Sequence, residues 1–421
     1  MSKKFMGPMV ILLIIQFLVM VGFGIVIPIL PFFVGKLGGG AIALGIFMSS
    51  YSIMQFFFAP FWGRLSDRIG RRPVILIGLS GYGLTFLMFG LVNNLYLLIG
   101  IRALSGMVSS ATIPTAMAYL ADITEGADRS KGMGMIGAAM GLGMIFGPAI
   151  GGWLGHYSFS LPFFTAGGLA ILLLPFTLAF LPESLKQPTE VVRRKTALFT
   201  LTVLKDPLFA LFAFNFVLNF TMSMFETTFA LLAAAKVCFG PRDMGITFAI
   251  LGIFAVIVQG GLIGPLVKRF GDANLVKAGA LVCAVGLTLI ILAADYGNII
   301  LLVMSTVVFM VGNSLMVPTS SSLVTKQSSQ GQGASLGLFA SFASLGRIIG
   351  PVTGGALFGL SMGLPYVTGS VFLVLIVIIA GGKLATIQSH HRFYSILDGK
   401  SDDLSDEYYA KNKKQGFERQ V

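Results

Sequence analysis

The chain is a succession of long apolar runs separated by short charged or Gly/Pro-rich breaks. Each run has about the twenty residues that an α-helix needs to cross the hydrocarbon core of a membrane. The pattern predicts an all-α integral membrane protein with twelve transmembrane helices, six in each half. The predicted spans are 8–33, 41–62, 74–93, 95–121, 132–155, 161–182, 207–235, 244–267, 275–294, 298–325, 332–358 and 364–388.

The amino-acid composition excludes a soluble fold. The 421 residues are 55% hydrophobic and only 11% charged, against roughly a quarter charged in a soluble domain. The net charge of +12 would suggest nucleic acid in a soluble chain, but here the basic residues sort by side of the membrane. Lys36, Lys236 and Arg242 fall on one side, and the other basic residues in loops and tail fall on the opposite side. The positive-inside rule therefore predicts that both termini are cytoplasmic, and no nucleic-acid partner is expected.

Two motifs recur at nearly the same offset along the chain. A dense charged segment at 63–73 has a shortened echo at 264–271, which is 201 positions later (63 to 264). A glycine–proline pattern at 147–152 recurs at 350–355, 203 positions later (147 to 350). Two motifs at similar offsets indicate an internal duplication. We expect an N-terminal six-helix bundle at 1–186, a cytoplasmic linker at 187–206, a C-terminal six-helix bundle at 207–388 and a cytoplasmic tail at 389–421.

Span seven carries the main candidate for chemistry. Four polar residues share one helical face because they follow one another at spacings of four, four and three residues. They are Asn215, Asn219, Ser223 and Glu226, with Met222 and Phe229 beside them. Glu226 is the one acidic residue that the pattern places well inside an apolar run, and an intramembrane carboxylate is a functional candidate. The alternative is a carboxyl group kept neutral for packing by a neighbour's hydrogen bond, but the polar stripe favours function.

Two arginines also lie inside apolar runs. An arginine at this depth costs about 3 kcal/mol on insertion scales unless it is paired or hydrated. Arg102 in span four is expected either to bond backbone carbonyls of a neighbouring helix or to take part in proton coupling. Arg347 in span eleven is expected either to pair with Glu226 or to serve a neighbouring helix end. Gln55 in span two shares a helical face with two serines. This face is expected to line a cavity or a neighbouring helix rather than lipid.

Glycines at four-residue spacing predict close contacts between helices. Glycine lets two helix backbones touch, and a proline in the same stretch kinks the helix. The residues predicted to lie at such contacts are Gly143, Gly147, Pro148 and Gly151 in span five, and Gly350, Pro351 and Gly354 in span eleven.

These motifs resemble those of a known family. The segment 63–73 is similar to the signature that links spans two and three in the major facilitator superfamily. Arg102 with Gly106 resembles the superfamily's span-four motif, and 143–152 resembles the span-five motif of its antiporters. With Phe225-Glu226-Thr227 and the proline-rich end of span one, residues 1–388 resemble the twelve-span drug:proton antiporter family, in the branch of bacterial quinolone, multidrug and tetracycline exporters. The resemblance implies two pseudo-symmetric bundles and a location in the bacterial plasma membrane.

The resemblance further implies a conformational latch at the cytoplasmic ends of the helices. Charged groups at helix ends can hold the two halves together and release them when the halves separate. The latch residues would be Gly63, Asp67, Arg68, Gly70 and Arg71. The second copy departs from the family pattern because Lys268 stands where Asp67 would fall, so only the first copy is expected to supply the carboxylate. Asn313 in span ten stands where related quinolone exporters carry an acid, which leaves Glu226 alone.

The expected function is proton-coupled antiport that exports amphiphilic small molecules, cationic or zwitterionic, by rocking of the two bundles about a midplane site. Glu226 and Arg102 are the expected proton-coupling residues. The expected substrate-binding residues are Asn215, Asn219, Met222, Ser223, Glu226, Phe229, Gln55, Asn313 and Arg347. One alternative is an exporter or flippase of an endogenous lipid, glycolipid or metabolite, and a less favoured one is a membrane sensor that transports nothing.

No enzymatic activity, metal site or cofactor is expected beyond the proton gradient. The chain has no glycine-lysine phosphate loop, which disfavours ATP-driven transport. The expected partners are small amphiphilic substrates and the lipid bilayer, and the chain is expected to function as a monomer.

Overall fold

The computed structural model describes residues 3–185, 208–327 and 332–382. These residues form twelve helices that are long and apolar enough to cross a membrane, which confirms the predicted all-α fold. The helices are α1 (Lys3–Lys36), α2 (Ala41–Ile69), α3 (Arg71–Leu91), α4 (Leu95–Ile123), α5 (Gly126–Tyr157), α6 (Leu161–Phe180), α7 (Phe209–Val237), α8 (Pro241–Phe270), α9 (Asp272–Asp295), α10 (Ile299–Gln327), α11 (Gln332–Leu360) and α12 (Leu364–Gly382). The expected linker at 187–206 and tail at 389–421 lie outside the described residues.

The charged segment 63–73 is helical, whereas span two was predicted to end at residue 62. Helix α2 continues to Ile69 and α3 begins at Arg71, so Gly70 alone separates them. Gly70 has φ of 105°, in the left-handed region that residues with a side chain rarely adopt. Gly271, with φ of 78°, separates α8 from α9 in the same way. The repeated unit is therefore a helix–glycine–helix corner.

Glycines bring α5 against α1, and the equivalent glycines bring α11 against α7. A Cβ added to Gly147 would lie 2.5 Å from the carbonyl oxygen of Val21, so the two backbones touch. A Cβ added to Gly350 would lie 2.6 Å from the carbonyl oxygen of Phe220. Gly143 and Gly151 meet α1, and Gly346 and Gly354 meet α7, each pair 203 positions apart (143 to 346 and 151 to 354). The same helix contact thus occurs once in each half.

The two halves meet at one face of the molecule. We call the face with the corners Gly70 and Gly271 the basic face, and the other the opposite face. Near the opposite face, Ser49 Oγ of α2 donates a hydrogen bond to the carbonyl oxygen of Ile348 of α11, at 2.6 Å. A Cβ added to Gly152 of α5 would lie 2.5 Å from the Cα of Gly245 of α8. We call these two contacts the α2–α11 seam and the α5–α8 seam.

Toward the basic face the seam helices separate. Gly137 and Gly141 of α5 have no neighbouring atom within 4 Å of an added Cβ, and neither do Gly260 and Gly261 of α8. These glycines lie on the same helices as Gly152 and Gly245, which touch. The halves are therefore closed at the opposite face and open toward the basic face.

Candidate functional site

Glu226 lies near the middle of α7, just inside the closed end of the space between the halves. Leu231, further along α7 toward the opposite face, packs against the hydrophobic core of the first half. Glu226 itself is partly accessible and makes no hydrogen bond or ion pair with another described residue. A carboxyl group kept neutral for packing needs a hydrogen-bonding neighbour, and the described residues supply none. Glu226 is thus a partly accessible carboxyl group without a partner among the described residues.

Arg347 is the charged residue whose electrostatic field acts on Glu226. It precedes Ile348, which bonds Ser49 across the α2–α11 seam. Its field also reaches Tyr51 of α2, in the other half. The Arg347 side chain is exposed although it lies in the middle of α11, so it borders the space between the halves. The structure therefore brings Arg347 and Glu226 to one space, where they interact without forming a direct ion pair.

The polar stripe of α7 is largely used to pack α7 against α11. Asn215 Nδ2 donates a hydrogen bond to the carbonyl oxygen of Phe339 at 2.7 Å, and Asn219 Nδ2 donates to Asn215 Oδ1 at 3.0 Å. Ser223 is buried, and its Cβ would lie 3.1 Å from a Cβ added to Gly350. The stripe thus fills a helix contact at these positions, while its Glu226 end reaches the space between the halves.

The other residues predicted to bind substrate are dispersed. Phe229 is fully buried in the core of the second half, where its ring stacks on Phe225 at a centroid distance of 4.9 Å. Met222 is half-buried against the same core. Gln55 is half-buried on α2, and Asn313 is buried on α10. The structure gathers Glu226 and Arg347 but does not bring Phe229 to the space between the halves.

Arg102 is held by aromatic rings rather than by carbonyl oxygens. Its side chain is 2% exposed, and its Cζ lies 4.3 Å from the ring centroid of Tyr51, 5.2 Å from Phe47 and 6.0 Å from Phe23. Cation–π attraction of this kind is worth about 2 kcal/mol when the groups are desolvated. Arg102 Nε has no hydrogen-bond partner in the described residues. It borders a cavity of about 10 Å³, close to the space that one water molecule needs.

The predicted latch residues form a network inside the first half. Arg71 Nη1 lies 2.6 Å from Asp67 Oδ1 and donates to Ser66 Oγ at 2.6 Å, and Arg71 Nε donates to Asp122 Oδ2 at 3.1 Å. The Glu183 carboxylate, after α6, accepts the backbone N–H of Arg71 at 2.8 Å. This network ties together α2, α3, the end of α4 and the end of α6.

Of the other three positions of the predicted latch, Gly70 forms the corner beside the Glu183 carboxylate, and Arg68 and Gly63 make no such contact. Arg68 is exposed, and a Cβ added to Gly63 would meet nothing within 4 Å. Among the described residues, no hydrogen bond or ion pair joins the segment 63–73 to the second half. A role in holding the halves together stays a prediction for another conformation, in which the basic face is closed.

The corner at Gly271 repeats part of this arrangement with the charges exchanged. Lys268 and Asp272 stand 201 positions after Asp67 and Arg71 (67 to 268 and 71 to 272). Lys326 Nζ, at the end of α10, lies 2.5 Å from Asp272 Oδ2. Arg71 contacts Asp122 at the end of α4 in the same way. The expectation that only the first copy can supply a carboxylate was wrong, because Asp272 supplies one at the position of the base.

Two functional-site candidates, Tyr51 and Glu183, were missed from the sequence, and so was the part that Asp122 plays at the corner. Tyr51 lies under Arg102 and within electrostatic range of Arg347, and its spacing of four from Gln55 on one helical face could have indicated it. Asp122 and Glu183 complete the corner at Gly70, and each directly follows or ends an apolar run. Residues at the end of an apolar run indicate helix boundaries, so the pattern could not show that Asp122 and Glu183 meet at one corner.

Two repeated six-helix bundles that enclose charged residues near the middle of the membrane are the architecture of secondary transporters. Comparison of the sequence with known families identifies which transporters these are. Residues 12–351 and 211–390 match the Major Facilitator Superfamily, and the chain belongs to this superfamily of membrane transporters. The expected family is confirmed, and the chain is a multi-pass membrane protein.

Two bacterial relatives are matched over nearly their whole length. Quinolone resistance protein NorA of Staphylococcus aureus (strain COL) is 30% identical over 376 residues, which cover 89% of this chain and 95% of the relative. Multidrug resistance protein 2 of Bacillus subtilis (strain 168) is 29% identical over 372 residues, which cover 87% and 92%. A solved bacterial homolog of the human lysosomal transporter Spinster, inward-facing and occupied, has a TM-score of 0.72 at 13% identity, covering 92% of this chain and 98% of that one. These likenesses agree with the fold described above.

Proposed function

We propose that the chain is a proton-coupled antiporter that exports amphiphilic small molecules from a bacterial cell by alternating access. The observation that carries the proposal is Glu226, a carboxyl group without a hydrogen-bond or ion-pair partner in the described residues, at the closed end of the space between the halves. The names of the relatives, quinolone resistance and multidrug resistance, support amphiphilic drugs as substrates.

The proposed cycle assigns the basic face to the cytoplasm, following the positive-inside rule. In the conformation described here, a cytoplasmic substrate enters between the halves and its cationic group approaches the Glu226 carboxylate. Rocking of the halves opens the α2–α11 and α5–α8 seams and closes the basic face. A proton from outside then displaces the cation from Glu226. Proton and substrate compete for one group, so each drives the other in the opposite direction.

Arg102 has a supporting part in this proposal. Its Cζ lies 4.3 Å from the ring centroid of Tyr51, and Arg347 also lies within electrostatic range of Tyr51. Tyr51 belongs to the first half, and Arg347 to the second. A change at Glu226 that moves Arg347 therefore alters the surroundings of Tyr51 and Arg102, which is a physical route from the carboxyl group to the other half.

The test uses purified protein in liposomes with an imposed pH gradient and a cationic dye. The wild type is expected to accumulate the dye against its gradient, and Glu226→Gln is expected to lose this uphill transport because the amide cannot exchange a proton. Glu125→Gln is the matched control, since Glu125 is exposed at the basic-face end of α5. Uphill transport that survives in Glu226→Gln removes Glu226 from the mechanism, and a wild type that ignores the gradient refutes proton coupling.

A further inference from the structure

An apolar groove lies at the opposite face, beside the α2–α11 seam. Its volume is about 560 Å³, within the range of roughly 300–1,000 Å³ that is usual for small-molecule sites. The turn after α1, the first turns of α2, the start of α4 and the end of α11 line it, and no lining residue is charged. We call it the α2 groove, and its residues are 38–43, Ile46, Leu95, Tyr96, Ile99 and Gly359.

Glycines keep the α2 groove open. A Cβ added to Gly38, Gly40 or Gly359 would meet nothing within 4 Å. Gly359 is exposed and lies in the last turn of α11, so a larger side chain at this position would occupy open space without straining the helix. The groove can therefore be filled by one substitution that the fold tolerates.

Exposed aromatic residues place the α2 groove at the boundary of the hydrocarbon core. Trp153, Tyr157 and Tyr296 are all more than half exposed at helix ends on the opposite face, and such residues are enriched at membrane–water interfaces. Tyr96 lines the groove, is 83% exposed and lies at the same end of the helices. Ile46 lies further along α2, toward the hydrocarbon core. The groove thus faces the lipids of the leaflet at the opposite face.

Both halves of the protein contribute to the α2 groove. Gly359 belongs to the second half, and the other lining residues belong to the first. One turn before Gly359, a Cβ added to Gly355 would lie 3.2 Å from the Cα of Ile42, so the α2–α11 seam is closed directly beside the groove. Opening of this seam would take Gly359 away from the other lining residues. The complete groove therefore exists only while the opposite face is closed.

We infer that the α2 groove binds an acyl chain of a phospholipid from the leaflet at the opposite face, and that the bound lipid stabilises the conformation closed at that face. Lipid chains are as apolar as leucine, so the hydrophobic effect does not favour the groove over other lipid-facing surfaces. A concave surface instead contacts the chain on several sides, and dispersion attraction sums over these contacts. A ligand that binds one conformation better shifts the equilibrium toward it.

A phosphatidylglycerol analogue with a diazirine in the upper part of its acyl chain tests the inference in liposomes. Light attaches the chain to the residues that it contacts, and mass spectrometry of the peptides locates them. In the wild type, labelling of 38–46 and 95–99 per exposed area is expected to exceed that of 161–169, at the same end of α6, by about threefold, because a few additional atom contacts are sufficient.

Gly359→Leu fills the groove and is expected to lower the labelling of 38–46 and 95–99 by about threefold, to the level of an ordinary helix surface. Labelling of α6 should not change. Gly168→Leu is the matched control, because Gly168 is exposed on α6 and an added Cβ meets nothing within 4 Å there. It is expected to label in the groove like the wild type. Equal melting temperatures of the two variants and the wild type show that both are folded.

A second variant changes the balance between conformations without altering the groove residues. In Gly152→Ala the new Cβ would lie 2.5 Å from the Cα of Gly245, which disfavours closure at the opposite face. Groove labelling is expected to fall in this variant and to stay unchanged in Gly141→Ala, where an added Cβ meets nothing within 4 Å. Spin labels on the basic face confirm the shift of population in the same samples.

Two results would overturn the lipid site. They are labelling in proportion to exposed area over the whole surface, which indicates contact with bulk lipid only, and groove labelling in Gly359→Leu that equals the wild type. Unchanged groove labelling in Gly152→Ala, in samples whose population has shifted, would overturn the link between the lipid and the closed conformation. None of these measurements involves transport, so each outcome leaves the proposed function standing.

Discussion

Gly152 is the position where one methyl group should shift the balance between two conformations of the protein. In Gly152→Ala the new Cβ would lie 2.5 Å from the Cα of Gly245 and 2.5 Å from the carbonyl oxygen of Pro241. Both atoms belong to the backbone of the other half, so no side chain can turn away. The α5–α8 seam must widen by about 1 Å to restore ordinary contact, and overpacking of this kind costs about 1–3 kcal/mol.

The penalty applies only while the seam is closed. A conformation open at the opposite face separates Gly152 from Gly245 and relieves the contact. The equilibrium should therefore move toward that conformation by about 5- to 150-fold, the ratio that corresponds to 1–3 kcal/mol.

Spin labels at the exposed basic-face positions Arg64 and Arg269 report this change. In a background without Cys238 and Cys283, double electron–electron resonance should show a larger population at short distance in Gly152→Ala than in the parent protein. Gly141→Ala is the control on the same helix, because an added Cβ meets nothing within 4 Å there. A distance distribution in Gly152→Ala that matches the control would refute the reasoning.

Three further predictions follow from the contacts within each half. Asp67→Asn should slow transport while binding of a fluorescent substrate stays nearly unchanged, because Arg71 keeps its contact with the acid at the end of α4; weaker binding in step with transport would place Asp67 in the binding site. Tyr51→Leu should lower the melting temperature in detergent more than Tyr51→Phe, since phenylalanine keeps a ring face for Arg102 at about 2 kcal/mol; equal shifts would contradict this. Asp272→Lys should destabilise the protein by about 1 kcal/mol, and the added change Lys326→Asp should recover it; additive losses in the double variant would exclude the pair.

The sequence predicted the membrane-spanning segments more accurately than the ends of the helices. Hydropathy placed the end of span two at residue 62, because Arg64, Asp67 and Arg68 interrupt the apolar run. The helix itself continues to Ile69, since a helix that leaves the membrane keeps its own backbone hydrogen bonds in water. The glycine at the corner was visible in the sequence, but its role as the single residue between two helices was not.

Periodicity also showed which residues share a face without showing what covers that face. Asn215, Ser223 and Glu226 follow one helical stripe, yet two of them pack against α11 and the third faces the space between the halves. The depth of Arg102 in span four was clear from the apolar run. Its partner Tyr51 lies 51 positions earlier (51 to 102), and only the packing of α2 against α4 brings the two together.

The α5–α8 seam also affects how temperature acts on the conformational balance. Closing an interface that is built from leucine or methionine side chains restricts their rotamers, at about 0.5–2 kcal/mol of side-chain entropy each. Glycine has no rotamers to lose, so Gly152 and Gly245 approach each other without this entropic penalty. Opening the same contact therefore gains no side-chain entropy, which is the term that would favour opening at higher temperature. The Gly152–Gly245 contact is therefore expected to stay closed on warming, and its opening is expected to depend on a ligand bound between the halves.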